Sequence, residues 1–290
     1  MKKYVVIHNK NSRGKKLSQV EIEKLFSSHN LSAVVYQTSK ASQVKEIILK
    51  HKNDSVIFGA IGGDGTLSNL IDNLLKNNVN NPEVACLPSG SGSDFMRTFA
   101  FPKNINEGIK RLKNDQNYKI DVAHISSSNN SRYFVNVLNY GFLADTVHTS
   151  ESLPRMFKRF RYPISFWLKL LPAKSMLFQI ENDRFNFNNL AFNISICNGQ
   201  FFGGGWNISP KSSLQDGLLN IQIFKVTKLK AMKLFFLAKK GLHLTEPDVI
   251  LKKSNKLTLL SPNTIEVDGD YFDQGPAEIN VKKEAILLKI

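Results

Sequence analysis

Short apolar runs alternate with apolar residues at helical spacing along the first part of the chain. Tyr4–Ile7, Ala33–Tyr36, Ser55–Phe58 and Val84–Leu87 have the length and continuity of buried strands. Between them, helices are predicted near Ser18–Ser28, Ala41–His51 and Leu67–Lys76; in the last, Leu67, Leu70, Ile71, Leu74 and Leu75 line one face. This alternation predicts a doubly wound α/β domain that ends near Asp121. From Tyr133 the pattern changes to strands and turns. Runs at Tyr133–Leu138, Met176–Ile180, Leu190–Cys197, Leu218–Phe224, Lys256–Leu260 and Thr264–Val267 predict a β-rich second domain. The expected division is residues 1–124 and 125–290, with the polar run Ser126–Ser131 as a loop tip. The stretch Lys225–Leu244 reads as a core helix with a charged outer face.

Two glycine-rich loops interrupt the first domain. Ile61–Thr66 reads IGGDGT between a predicted strand and a predicted helix. Glycines let backbone N–H groups approach phosphate oxygens, and a helix N-terminus adds positive potential. A carboxylate in such a seat, Asp64, repels phosphate unless a cation lies between them, so the string suggests a nucleotide with a metal. A ligand-free Gly-Asp-Gly turn is the plain alternative. Pro88–Arg97 reads PSGSGSDFMR, again after a strand, and ends on Asp94. Loops after neighbouring strands converge at the carboxyl edge of an α/β sheet, where ligands bind.

GGDGT followed by P-x-G-[ST]-x-x-D-F-x-R resembles the catalytic domain of the diacylglycerol kinase family, in its soluble bacterial branch. The similarity continues through Asn9–Gly14, Thr38, Phe134-Val135-Asn136, Asn198-Gly199, Phe202–Gly205, Asp216–Leu219 and Val267–Asp270. The resemblance implies an NAD kinase/phosphofructokinase-like α/β domain and an all-β C-terminal sandwich, with the last strands (about 277–290) returning to the first domain. It implies an ATP- and Mg²⁺-dependent lipid kinase acting on a hydroxyl of a lipid such as diacylglycerol. By the same resemblance, Asn9, Thr38, Gly62, Gly63, Asp64, Gly65, Thr66, Ser91 and Asp94 form the nucleotide site, with Asp121 in its acidic network. Asp268 is the general base, and Asp270 stands where the family has Glu. Ser213, Asp216 and Leu218 hold a second metal. Arg97 and Lys15 are candidate phosphate or headgroup contacts. The chain departs from the family pattern at Lys10, Ser68-Asn69, Gly90–Asp94 and Asp270; loss of a carboxylate at Asn69 bears on nucleotide preference more than on the reaction. An NAD kinase-like enzyme with a soluble acceptor and a non-catalytic lipid-binding relic are the rival readings.

Composition narrows the partners. A net charge of +15 on 290 residues favours anionic partners, and no zinc spacing or aromatic RNP-type strand points to nucleic acid. Met156–Lys174 mixes Lys158, Arg159, Arg161, Lys169 and Lys174 with Phe157, Phe160, Phe166, Trp167, Leu168, Leu170 and Leu171. Such a mixture suits an anionic membrane surface, and equally a packed helix pair with solvated lysines. No apolar run reaches 18 residues, and the N-terminal apolar run is too short for a signal-peptide core. Cys86 and Cys197 lie in apolar runs and read as buried thiols. A cytoplasmic protein in peripheral contact with membrane is expected. Family members are often dimers, so a homodimer is a further expectation.

Overall fold

The structure is a computed structural model that describes residues 2–12, 17–88, 93–114 and 116–290. The chain divides into two compact units. Unit 1 is Met1–Val122 with Lys283–Ile290, and unit 2 is Ala123–Lys282.

Unit 1 alternates β1 (Lys3–Asn9), α1 (Gln19–Ser28), β2 (Ala33–Thr38), α2 (Ser42–His51), β3 (Val56–Gly62), α3 (Asp64–Lys76) and β4 (Glu83–Pro88). Two short helices follow, α4 (Asp94–Thr98) and α5 (Ile105–Arg111), and then β5 (Asn117–Ser127), which begins in this unit. The strands order as β2-β1-β3-β4, all parallel. The strands are buried on both faces, as parallel strands are, with Val5, Val6 and Ile7 fully enclosed. Tyr4, Ile22, Phe26 and Val35 belong to the core that seats α1 against the sheet. Ser18 starts α1 with a capping box: its hydroxyl accepts from Glu21 N at 3.2 Å, and the Glu21 carboxylate accepts from Ser18 N at 2.7 Å.

Unit 2 holds β6 (Ser131–Phe134), β7 (Val137–Gly141), α6 (Phe142–Ser152), a 3₁₀ turn (Arg155–Phe160), α7 (Arg161–Leu170), β8 (Met176–Glu181), β9 (Asn186–Ala191), β10 (Asn193–Cys197), β11 (Leu219–Phe224), α8 (Lys228–Ala238), β12 (Val249–Ser254), β13 (Lys256–Leu259), β14 (Thr264–Val267), β15 (Asp270–Gln274) and the first part of β16 (Ala277–Lys289). An antiparallel sheet runs β12-β11-β10-β7-β14-β15. Strands β8, β9 and β13 pair antiparallel in a second layer, together with residues 277–280 of β16. Tyr140, Phe178, Ile194, Ile221, Leu257 and Ile279 fill the core between the layers. Residues 287–289 of β16 pair in parallel with β4 in unit 1.

Two expected strands are broken, each for a local reason. Tyr133–Leu138 splits because the N–H groups of 135–137 turn to a carboxylate, Asp268. Leu190–Cys197 splits at Phe192, with β9 pairing β8 on one side of the break and β10 pairing β7 and β11 on the other. Helix α6 was not expected; it begins after Gly141, whose φ of 106° takes the chain sharply off β7. Cys86 and Cys197 are buried free thiols. No helix among the described residues is long and apolar enough to cross a membrane.

Candidate active site

In unit 1, Asn9, Thr38, Gly62 and Pro88 end their strands at one edge of the sheet. Asn9 pairs in register with Thr38, and Gly62 with Pro88. The chain leaves β1 toward β2 on one side and β3 toward β4 on the other, so this edge holds, between β1 and β3, the switch point at which open α/β sheets bind ligands. Asn9 and α3 meet there: Asn9 Nδ2 donates to Thr66 Oγ1 at 3.3 Å. Unlike α1, α3 begins without a side-chain cap, on Gly63. Its terminal N–H groups thus face the loop with their dipole unmasked by a capping side chain.

The glycines of this loop differ. A Cβ on Gly62 would overlap the Thr66 side chain, so the fold itself requires this glycine. A Cβ on Gly63 or Gly65 would meet nothing within 4 Å. Protein packing does not require these two glycines, and the bare backbone there leaves room for a ligand to approach.

Asp64 joins the two glycine loops. Its carboxylate accepts from Ser93 Oγ, from Asp94 N at 2.9 Å and from Phe95 N at 3.1 Å. It therefore anchors the start of α4, while Ser93 caps that helix through Met96 N. A carboxylate has roughly four acceptor positions, so these three bonds leave at most one for a cation. Asp94 is buried, with Arg97 Nε 3.7 Å from its Oδ1. Asp121 accepts from Glu284 N at 2.8 Å. Asn69 bridges from α3 to the Ala41 carbonyl at 3.3 Å. Ser91 and Lys15 lie outside the described residues.

In unit 2, Asp268 sits on a left-handed turn, with φ 51° followed by 95° at Gly269. Its Oδ1 accepts from Asn136 N at 3.0 Å and Val137 N at 3.1 Å, and its Oδ2 from Val135 N at 3.2 Å. Its own N–H donates to the Val137 carbonyl at 3.0 Å. A non-glycine residue keeps a positive φ only where its surroundings over-determine it, as they do at many functional sites. Asp270 faces elsewhere: it pairs with Arg132 Nη2 at 2.9 Å.

Glu266, two residues earlier, carried no signal in the sequence. It is 3% exposed and accepts from Asn139 Nδ2 at 2.7 Å and from Gly269 N. Burial pushes its carboxyl up to about 8, against the pull of those two bonds.

The Ser213, Asp216 and Leu218 set is a turn in which Asp216 Oδ1 accepts from Leu218 N at 3.1 Å. Lys253 Nζ lies 3.3 Å from Asp216 Oδ2, so this carboxylate already has a cationic partner. Among the described residues no group of three or more His, Cys, Asp or Glu side chains clusters to hold a metal. Metal held by one carboxylate with carbonyl oxygens, or jointly with phosphates, needs fewer such side chains.

An open parallel sheet with a glycine loop at its switch point is the arrangement in which α/β proteins bind phosphate-bearing ligands. Family comparison extends this. A profile of the diacylglycerol kinase catalytic domain matches residues 3–125, and one of the YegS C-terminal NAD kinase beta sandwich-like domain matches residues 136–289. The chain belongs to the diacylglycerol kinase catalytic-domain family and is a kinase. It is 27% identical over 242 residues to a diacylglycerol kinase of Staphylococcus haemolyticus (strain JCSC1435), covering 80% of this chain and 70% of the relative. It is 28% identical over 236 residues to a diacylglycerol kinase of Staphylococcus aureus (strain bovine RF122 / ET3-1), covering 78% and 71%. The fold matches a crystal structure of a diacylglycerol kinase from Bacillus anthracis str. Sterne with a TM-score of 0.76 at 18% identity, over 99% of this chain and 96% of that one.

Two outcomes follow. Gly62→Ala should lower the melting temperature clearly, by overpacking of about 1–3 kcal/mol, while Gly63→Ala should leave it within a degree or two. For Glu266, a folded carboxyl raised above the unfolded value of about 4.3 stabilises the fold at low pH, and this stability is lost as pH rises through about 8. Thermal melts from pH 6 to 9 should therefore show a fall that Glu266→Gln reduces.

Proposed function

We propose that this protein is an ATP- and Mg²⁺-dependent lipid kinase that transfers the γ-phosphate to a hydroxyl of a lipid such as diacylglycerol. The observation that carries the reading is Asp268, a carboxylate fixed on a left-handed turn by three backbone N–H groups, in a chain of this kinase family. Gly62–Thr66, Asn9 and Thr38 would seat the phosphates and ribose side of ATP, with Ser91 and Asp94 completing the site. Asp64 and Asp94 would hold Mg²⁺, which supplies charge neutralisation on the phosphates when bound. Phosphoryl transfer passes through a loose transition state, so little covalent work falls on the protein. Asp268 would orient the acceptor hydroxyl and take its proton as the oxygen bonds to the γ-phosphorus and ADP leaves. A carboxylate anchored this firmly suits the orienting role. The pairing of Asp270 with Arg132 supports a helper role in holding the turn, rather than direct contact with the hydroxyl.

Unit 2 also supports a lipid acceptor. A small apolar cleft of about 50 Å³ lies among Phe142, Phe166, Phe192, Trp206 and Phe235. Its lining suits a hydrocarbon group rather than a polar one. Around it, α7 exposes Trp167 and Leu168, with Leu171 just beyond its end, and α8 exposes Leu229 and Phe236. Lys228 Nζ donates to the Leu171 carbonyl at 3.0 Å and ties the start of α8 to the end of α7. The stretch expected to be a core helix with a charged outer face thus carries two large apolar side chains on its surface. Lys169, Lys174, Lys239 and Lys240 add charge. Exposed apolar anchors among lysines fit an anionic membrane surface.

Labelled γ-phosphate from ATP/Mg²⁺ should appear in a total lipid extract with the wild-type protein and drop by about 10²- to 10⁴-fold with Asp268→Asn, while ATP binding persists. Label in a soluble acceptor instead of lipid would overturn the assignment. Vesicles rich in phosphatidylglycerol should retain the protein at low salt and release it at high salt. The double variant Trp167→Ser with Phe236→Ser should bind about tenfold or more weakly. Equal retention of the variant would remove this surface from the account.

A further inference from the structure

Four polar side chains cross the middle of the six-stranded sheet in one row. Register places Glu266 of β14 opposite Asn139 of β7, Asn139 opposite Ser195 of β10, and Ser195 opposite Gln222 of β11. None is more than 3% exposed. The bonds run in series at one end. Ser195 Oγ donates to Asn139 Oδ1 at 2.7 Å, Asn139 Nδ2 to Glu266 Oε2 at 2.7 Å, and Gly269 N to Glu266 Oε1. Asn193 steadies Ser195 at 3.1 Å, and its Oδ1 accepts from Leu143 N in the first turn of α6 at 2.9 Å.

Ile265 and Val267 supply the apolar side of β14. Glu266 does two things that an apolar residue could not: it accepts from the buried Asn139 Nδ2, and it grips the N–H of Gly269. A register irregularity between Ile265 and Glu266 accompanies this inward placement. Gly269 follows Asp268 on the left-handed turn, so the grip fixes the backbone on the side of Asp268 that Val135–Val137 do not touch.

We propose that Glu266 is a positioning residue for Asp268: anchored by the buried row through Asn139, it holds Gly269 and thereby fixes the direction of the Asp268 carboxylate. This rests on the assignment of Asp268 as the group that receives the acceptor's proton. The carboxylate is then clamped from two sides, through its own oxygens by Val135–Val137 and through its backbone by Glu266. A shift of about 1 Å in such a group is enough to slow transfer by on the order of 10²-fold.

The test compares Glu266→Met, of similar length with no acceptor, and Glu266→Gln, which keeps one carbonyl acceptor. Both are assayed on lipid extract with ATP/Mg²⁺, and amide hydrogen exchange is followed over residues 266–271. Glu266→Met should lose roughly 10- to 100-fold in kcat with KM for ATP and lipid within about twofold, and Gly269 N–H should exchange faster. Glu266→Gln should recover most of kcat. Wild-type kcat in Glu266→Met, or a loss carried by KM, would overturn the proposal. Should Glu266→Met not fold, Asn139→Leu cuts the row one residue further back and must show the same kcat loss. Exchange at Gly269 reads the grip without reference to activity. If the wild-type protein phosphorylates no lipid yet Gly269 loosens, the kinase reading fails and the positioning stands; unchanged exchange in both variants sinks the positioning alone.

Discussion

One carboxylate holds the two loops at the ends of β3 and β4 together. Asp64 is the first residue of α3, and its oxygens gather Ser93 Oγ, Asp94 N and Phe95 N at the start of α4. Charge-assisted bonds to backbone N–H groups are among the stronger single contacts a fold can make, and here they join two loops some thirty residues apart in sequence. Gly63 and Gly65 can then stay open, because loop-to-loop cohesion does not rest on them. This changes the meaning of the aspartate: its first task is structural, and its metal-binding capacity is what remains after three donors are satisfied.

The same device recurs at Asp268 in unit 2. There three consecutive N–H groups, 135–137, end one strand before the next begins and are spent on a side chain instead of a sheet partner. The strand break and the fixed carboxylate are therefore one feature. Behind it, the buried row through Glu266 and Asn139 connects the turn to the interior of the sheet and to the first turn of α6. Both carboxylates thus owe their direction to backbone groups, which are less free to wander than side-chain partners.

Much of this was legible in the sequence, and the rest was hidden for definite reasons. The α/β order of unit 1, the helix Leu67–Lys76 and the loop at 61–66 follow from periodicity and from glycine placement. The matching of the family profiles over 3–125 and 136–289 accords with the motifs around Asp64, Asp94 and Asp268. The breaks at 135–136 and Phe192 were invisible because the residues there are as strand-like as their neighbours, and only distant partners interrupt them. Helix α6 was missed because its polar residues at Asp145, Thr146 and His148 mask a weak apolar face. Glu266 was missed because a charged residue in a strand ordinarily faces water. The Lys253 partner of Asp216 could not be foreseen, since it comes from a strand 37 residues away.

By this reading Asp64 joins the loops of unit 1 before any ligand arrives. Amide hydrogen exchange on the ligand-free protein, comparing wild type with Asp64→Ala, measures that junction. Exchange at Asp94 and Phe95 should be much faster in the variant, with the strands of the β2-β1-β3-β4 sheet still protected. Unchanged protection at Asp94 and Phe95 would contradict it and return Asp64 to the role of a metal ligand alone.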